Sequence, residues 1–502
     1  MSTGIQITLP NGLKYEQPTG LFISNEFVAA SGDKFAVLNP TNDNEIITLE
    51  AASEEDVDTA VNAARKAFEG EWSELAAVER GNFLYKISQL IDRDRKLIAS
   101  IDAFDNGKVT DIADPVKTYA DALELDLASS YNVFKYFAGA ADKISGRTIE
   151  TSPSKLAYVL QEPLGVCGQI IPWNFPFMML AWKVAPALAC GNTVVLKPAE
   201  QTPLSALYFG KLVVEAGLPP GVVNIIPGMG SVAGKALAEH LDVDKIAFTG
   251  STVTGRAIMK SAASNLKNIT LECGGKNPCI VFDDADLELA VKWSHVGIMG
   301  NQGQVCISTS RIYVQEGIYD AFLKRFVEVT KEHHRLGDPF HDQTWQGPQI
   351  SKLQYEKILS YIEEGKKSGA RLLHGGAKHG DKGYFIEPTV FADTTEDMKI
   401  VREEIFGPVV VISKFSTVVE AVAKANDTCY GLSAALFTEK IGKAHKVARK
   451  LQAGMVFINS SGDAHFGIPF GGCKSSGMGR ELGQYALDAY TQSKAVHVNL
   501  GA

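Results

Sequence analysis

Gly165-Val166-Cys167-Gly168-Gln169-Ile170-Ile171 and Thr193-Val194-Val195-Leu196-Lys197 are two short apolar runs separated by a longer, helix-like segment at 177–189. Three more runs follow: Val222–Ile226, Lys245–Phe248 and Ile269–Glu272, with amphipathic or apolar segments at 204–216, 231–240 and 254–263 between them. Continuously apolar strands joined by helices form a parallel sheet that is covered on both faces. A second series comprises Cys279–Phe282, Arg311–Val314, Val409–Phe415, Ala434–Phe437 and Met455–Ile458, with helices near 286–298, 318–331, 418–425 and 440–451. It predicts a second lobe of the same α/β class, interrupted by a loop at 336–347 and a Gly-rich stretch at 375–383.

Outside these lobes the chain before residue 140 reads as mostly helical. Ser53-Glu54-Glu55-Asp56 resembles an N-cap with acidic residues in the first turn, and Val57, Val61, Ala64 and Phe68 then mark one face. Two segments look like strands of neither lobe. One is 148–161, containing Ala157-Tyr158-Val159-Leu160, and the other is 494–500 at the C-terminus. Exposed apolar strands need partners, so these are expected to pair with each other or with another subunit.

The chain has 502 residues, enough for two or three lobes, with 45% hydrophobic and 21% charged residues. That composition excludes collagen, coiled coil and wholesale disorder. A formal net charge of −9 lacks the basic footprint of a nucleic-acid or anionic-membrane binder. The seven cysteines include no CxxC and no zinc spacing, and their odd number suits free thiols in a reducing compartment. Residues 1–27 lack signal- and transit-peptide patterns. The apolar stretch 175–196 is interrupted by Pro176, Lys183, Pro186, Gly191 and Asn192, which favours a buried helix and strand over a membrane span. The expectation is a cytoplasmic protein without nucleic-acid, membrane or metal partners.

Several residues could carry chemistry, each beside a plainer role. Gly228-Met229-Gly230-Ser231-Val232-Ala233-Gly234 is one residue too long for GxGxxG, and Phe248-Thr249-Gly250-Ser251 ends another strand. Both put small residues before a helix, where backbone N–H groups favour a phosphate, although tight βα turns look the same. Cys306, in Gly303-Gln304-Val305-Cys306-Ile307, is either a nucleophile or a small buried hydrophobe. A thiol at a loop-to-helix position can have its pKa lowered from about 8.5. Cys167, Cys190, Cys273 and Cys279 look like core. Glu272 ends a parallel strand, where a carboxylate could act as general base or cap a turn. Asn174 could donate to an oxyanion or form an Asx turn. Lys197 and Glu200 could bind a ribose or stay in solvent. Glu404, beside Glu403, shares the ambiguity of Glu272 between base and turn cap, with a solvated acidic pair as the default.

Together, Pro172-Trp173-Asn174-Phe175-Pro176, Lys197-Pro198-Ala199-Glu200, Phe248–Thr252, Leu271–Lys276, Gly303–Cys306, Glu403–Pro408 and Pro469-Phe470-Gly471-Gly472 resemble the aldehyde dehydrogenase superfamily in order and spacing, most of all fungal cytosolic forms. The resemblance implies two Rossmann-like parallel-sheet lobes plus a small β oligomerisation extension. Residues 1–143 and 163–272 would form the NAD-binding domain and 273–485 the catalytic domain. Residues 144–162 and 486–502 would be oligomerisation strands of a homodimer or homotetramer. Cys306 would attack an aldehyde and form a thiohemiacetal, with Asn174 and the Cys306 N–H holding the oxyanion. Glu272 would activate water to hydrolyse the thioester, and Lys183 would serve the proton path. NAD would be held by Lys197 and Glu200 at the adenosine ribose, Ser251 at the pyrophosphate and Glu404 at the nicotinamide ribose. Ile170, Ile171, Pro172, Trp173, Gly230, Gly234, Phe248, Gly250, Gly274 and Phe406 would complete that site. Glu200 implies NAD over NADP, because a carboxylate repels a 2′-phosphate.

Phe175, Met179, Trp182, Val305, Ile307 and Phe470 would give the substrate tunnel an apolar wall. Relatives often carry aromatic residues where Gly300 and Ala464 fall, and Asp463 and His465 add polarity, so a wide, polar mouth is expected. Cys306 with Glu272 could also run a thioester hydrolase, which would leave the cofactor motifs without purpose. In a CoA-acylating dehydrogenase a water-activating Glu272 would be counterproductive. A binding protein that kept the fold would be expected to have lost Cys306, Glu272 or Asn174.

Overall fold

The computed structural model describes residues 4–109 and 122–501. The five strands of the first series form the parallel centre of an eight-stranded sheet. Their spatial order is Asn268–Glu272, Lys245–Thr249, Val166–Ile170, Thr193–Lys197, Val223–Ile225. The chain enters at the middle, winds outward to Val223–Ile225, then crosses back to lay down the last two strands on the other side. That reversal creates a switch point beside Val166–Ile170, where the loops at the carboxyl ends diverge and open a crevice. Val166–Ile170 and Thr193–Lys197 are buried throughout, as strands with helices on both faces must be. The helix Pro176–Ala189 is itself wholly buried, which accounts for the longest apolar stretch in the chain.

The second series forms a seven-stranded sheet in the order Arg371–His374, Thr389–Ala392, Val409–Phe415, Arg311–Gln315, Pro278–Val281, Ser433–Phe437, Met455–Ile458. Only the edge strand Arg371–His374 runs antiparallel. This strand, its neighbour Thr389–Ala392 and the helix Lys352–Lys367 have no counterpart in the sequence reading.

The N-terminal region departs from expectation. Residues 4–50 hold six strands, including the hairpins Gly4–Thr8 with Lys14–Pro18 and Lys34–Asn39 with Asn44–Glu50. Leu21–Ile23 joins the edge of the first sheet antiparallel to Val223–Ile225. The helical region begins only at Glu54–Phe68, where Ser53 Oγ accepts from the Asp56 N–H at 3.1 Å and Asp56 accepts from the Ser53 N–H at 2.9 Å. The hairpins are short and half exposed, so their period-two pattern is diluted by polar residues on the wet face.

The two unassigned strands pair with each other. Thr491–Asn499 lies antiparallel to Lys155–Pro163 over nine residue pairs, and Arg147–Ser152 adds a third strand. Ile149, Leu156 and Leu160 remain exposed on this small sheet. Among the described residues no helix is long and apolar enough to cross a membrane.

Candidate active site

Cys306 lies in the turn between the helix Leu287–Met299 and the strand Arg311–Gln315. The chain reaches it through three consecutive left-handed residues, Asn301 (φ 46°), Gln302 (φ 57°) and Gly303 (φ 71°). Left-handed L-residues are strained and persist only where their surroundings hold them. Here Asn301 Nδ2 donates to the Asn174 carbonyl at 3.1 Å, and Gln302 Nε2 donates to the Gly107 carbonyl at 3.2 Å. Asn277 Nδ2 donates to the carbonyls of Cys306 and Ser308, both at 2.9 Å. The turn is therefore braced on both sides of the thiol.

Burial, reinforced by the charges of Glu272 and Glu404, pushes the Cys306 thiol up, while the N–H groups of Ile307 and Cys306 pull the other way. This corrects the expectation of a lowered thiol. Cys306 lies in a turn that precedes a strand and does not open a helix, and burial, with the two carboxylates added, outweighs the backbone donors.

Asn174 is buried just before the helix Pro176–Ala189, which has no side-chain cap bond. Its Nδ2 donates instead to the Gln304 carbonyl at 2.9 Å, tying it to the Cys306 turn. An N-cap role is excluded, and an amide with two N–H groups has one more to offer.

Glu272 ends its strand with both carboxylate oxygens buried and without a hydrogen-bond partner. A Cβ on Gly471 (φ 152°) would come within 2.6 Å of Glu272 Oε1, so the carboxylate packs on bare backbone. Burial first, then the neighbouring Glu481, raises its pKa well above the ordinary value, while Lys183 and Arg480 oppose this. Lys183 is completely buried and pairs with Glu481, 298 positions away. Sequence reading missed Glu481. Its only signal is that Glu481 follows the Pro469–Gly472 motif closely.

At the other end of the crevice, Lys197 closes its strand, with Nζ donating to the Pro198 carbonyl at 2.9 Å and to Glu200 at 3.3 Å. Ser251 N-caps the helix Thr252–Ala262, accepting from the Thr254 N–H at 3.1 Å. Gly230 and Gly234 begin and end a single π-turn that leads into the helix Lys235–Glu239. Glu404 accepts from the Gly275 N–H at 2.8 Å, and a Cβ on Gly274 would overlap its carboxylate. Burial pushes Glu404 up to about 7. Phe406 sits left-handed (φ 61°), edge-on to Trp173 at 5.3 Å, and Gln354 donates to its carbonyl at 2.8 Å. The buried Thr249 Oγ1 is unpartnered. Small residues, a helix N-terminus and the carboxylates of Glu200 and Glu404 along these strand ends are groups of the kind that fit a dinucleotide.

A cavity of about 530 Å³ joins the two sets of residues. Its lining contains Cys306, Asn174, Glu272 and Glu481, and on the cofactor side Pro172, Trp173, Gly250, Ser251, Gly274, Glu404 and Phe406. Ile170, Ile171, Lys197, Glu200 and Phe248 lie outside it, in or just after strands of the first sheet; Gly230 and Gly234 lie outside it in their π-turn, and Lys183 is absent from its lining but pairs with Glu481, which is part of it.

Residues 27–496 match the family model described as the aldehyde dehydrogenase family. The chain belongs to the aldehyde dehydrogenase family. An aldehyde dehydrogenase of Aspergillus niger is 53% identical over 99% of this chain and 98% of its own length. Human aldehyde dehydrogenase 1A1 is 51% identical over 96% of this chain and 95% of its own. The solved NAD+ complex of an aldehyde dehydrogenase from Bacillus cereus superposes with a TM-score of 0.93 at 48% identity, over 96% of this chain and 97% of that one.

Within this aldehyde dehydrogenase, all six anticipated tunnel residues, Phe175, Met179, Trp182, Val305, Ile307 and Phe470, line the cavity. Trp182 and Phe470 pack edge to face at 4.9 Å. Asp463, Ala464 and His465 line it as well. Gly300 does not: it is buried at the end of the helix Leu287–Met299, and Trp293 of that helix reaches the wall instead. Glu124, Ala128 and Asn132, four residues apart, with Leu125 and Ser129 beside them, form a further wall. That stripe mixes charged, polar and apolar residues, so no hydrophobic periodicity revealed it.

Proposed function

We propose that this NAD-dependent aldehyde dehydrogenase oxidises its substrate through covalent catalysis by Cys306. The Cys306 thiolate adds to the carbonyl carbon, forming a C–S bond and a tetrahedral carbon that bears a negative oxygen. The free N–H of the Asn174 amide and the Cys306 N–H donate to that oxygen, in a site where braced dipoles need no reorganisation. When bound, NAD would supply the two-electron oxidant that takes this tetrahedral carbon, held by Cys306 and the two N–H donors, to the level of a Cys306 thioester. Glu272 takes a proton from water as the water attacks the thioester. The C–S bond then breaks, releasing a carboxylic acid and the thiolate. Lys183 and Glu481 extend the proton path away from Glu272.

The observation that carries this reading is the convergence of Cys306, Asn174 and the unpartnered Glu272 carboxylate on one cavity. A buried base without hydrogen-bond partners is poised to take a proton. Glu200, paired with Lys197, favours a ribose 2′-hydroxyl over a 2′-phosphate. Lys197, Glu200 and Ser251 hold the adenosine and pyrophosphate end, and Glu404 and Phe406 the nicotinamide end. Glu124, Asp463 and His465 give the substrate mouth polarity suited to bulkier or amino-substituted aldehydes. The divisions at 1–143 with 163–272, 273–485, and 144–162 with 486–502 are retained as functional units. The exposed Ile149, Leu156 and Leu160 suit contact with a second copy of the chain.

The deciding experiment follows NADH formation over a panel of aldehydes with NAD and NADP, on the native chain and on Cys306→Ser. Activity is expected only with Cys306 and with higher kcat/KM for NAD. Persisting oxidation by Cys306→Ser would overturn the mechanism, and preference for NADP would overturn the role of Glu200. Strong preference for acetaldehyde would refute the reading of the mouth.

A further inference from the structure

Four residues outside the catalytic cavity bring metal-ligating groups together from three pieces of chain. His334 follows the helix Tyr319–Glu332, His374 ends the edge strand Arg371–His374, and His379 and Glu387 lie on opposite arms of the loop that leads to Thr389–Ala392. One ligand atom from each of His334, His379 and Glu387 lies within 4.8 Å of the others. From this convergence we infer that His334, His379 and Glu387, supported by His374, form a site for a divalent transition cation of the zinc class.

The donor set is the first argument. Two imidazoles and a carboxylate, with a third imidazole adjoining, suit zinc and its neighbours better than calcium or magnesium, which prefer all-oxygen shells. Spacing is the second. Ligands about 2.0–2.1 Å from a tetrahedral ion sit roughly 3.4 Å apart. Closing from 4.8 Å to that spacing requires each side chain to move by under about 1 Å, within reach of rotation about its own bonds. The three side chains are half-buried, so such rotation does not disturb the core.

The backbone already holds the ligands in position. His379 N–H donates to the Phe385 carbonyl at 2.9 Å, and Glu387 N–H donates to the Ala377 carbonyl at 3.1 Å. Lys378 and Ile386 are bridged antiparallel between them, so the two arms form a short ladder. His334 Nδ1 and His374 Nε2 share a hydrogen bond of 3.2 Å with their rings perpendicular. Metal-bound histidines are commonly oriented by such a contact on the other nitrogen. A bound ion would staple the antiparallel edge of the second sheet to the end of a covering helix. The same loop carries Tyr384, whose N–H donates to the Pro40 carbonyl at 3.2 Å, so the staple would also steady a contact with the N-terminal segment.

The test is calorimetric titration of zinc chloride into the full-length chain carrying Cys306→Ser, which removes the reactive thiol as a competing ligand. One zinc per chain is expected, with at least a tenfold loss of affinity in His379→Ala and in Glu387→Gln and a rise in Tm on zinc addition that both variants lose. The same two substitutions on the native Cys306 background should leave NADH formation unchanged, which shows that they fold. Cobalt(II) in place of zinc should give the visible band of a tetrahedral ion, and His334→Ala should abolish it. Unchanged zinc stoichiometry and affinity in the His334→Ala, His379→Ala double variant would overturn the inference, as would the absence of any zinc binding by the Cys306→Ser chain.

Discussion

Glu272→Gln separates the two halves of the chemistry. The substitution preserves the shape of the side chain but removes its ability to take a proton. Formation of the C–S bond and hydride loss precede the need for that base, so the first turnover should survive. A positioned general base is worth about 10²–10⁴-fold. At about 1.36 kcal/mol per decade this is about 2.7–5.4 kcal/mol on the barrier to thioester hydrolysis. Stopped-flow absorbance should therefore show a burst of NADH approaching one per site, followed by a steady rate lower by that factor. The variant should also fold at least as well as the parent. Both Glu272 oxygens are buried without partners, and burial raises its pKa, so the ionised form destabilises the native state and an amide relieves that. The sign is that of a carboxyl raised on folding: the benefit of the amide should grow as pH rises above the ordinary carboxylate range. Equal loss of burst and steady rate, or a steady rate within threefold of the parent, would refute the assignment.

Lys183→Met leaves Glu481 buried without its cation, which costs about 3–5 kcal/mol and should appear as a large fall in Tm; a double variant with Glu481→Gln should recover much of it. Gly274→Ala forces Glu404 off the Gly275 N–H, and NAD titrations should show KM raised about tenfold, equivalent to about 1.4 kcal/mol; an unchanged KM would sink the placement of Glu404. Glu404 is raised on folding from 4.5 to about 7, so its stabilising protonated form is fully present below pH 4.5 and is lost as pH rises towards 7. Glu404→Gln should thus raise stability by about 3 kcal/mol at pH 8 and leave it unchanged near pH 4, read by thermal melts at both values. In the proposed mechanism Cys306 attacks as a thiolate and Glu272 is needed only for hydrolysis, and both are shifted up, so kcat/KM and kcat respectively should climb from neutral into alkaline pH; flat profiles across that range would contradict their roles.

The strands Thr193–Lys197, Val409–Phe415 and Met455–Ile458 could be read from the sequence residue for residue, because each is a compact run of apolar side chains between helical segments. The N-terminal hairpins could not, since their wet faces carry polar residues that break the pattern. The same division holds in the site. Cys306, Glu272 and Asn174 stand in local motifs and meet in the cavity. Glu481, Trp293 and the stripe from Glu124 to Asn132 join them with no local sign, because each is chosen by what it faces across the fold.

By itself, the sequence determined the alternation of strands and helices, the two sheets and the residues able to act as nucleophile, base and amide donor. The strands, helices and sheets follow from periodicity, a property of a short stretch of chain, whereas the nucleophile, base and amide donor are singled out only by the resemblance of several motifs in order and spacing. Tertiary structure alone decided that Lys183 would face Glu481, that Trp293 would line the cavity, and that burial would push the Cys306 thiol up. It also brought His334, His379 and Glu387 together. Electrostatics and burial depend on distances across the folded molecule, and those distances are not encoded in any one segment.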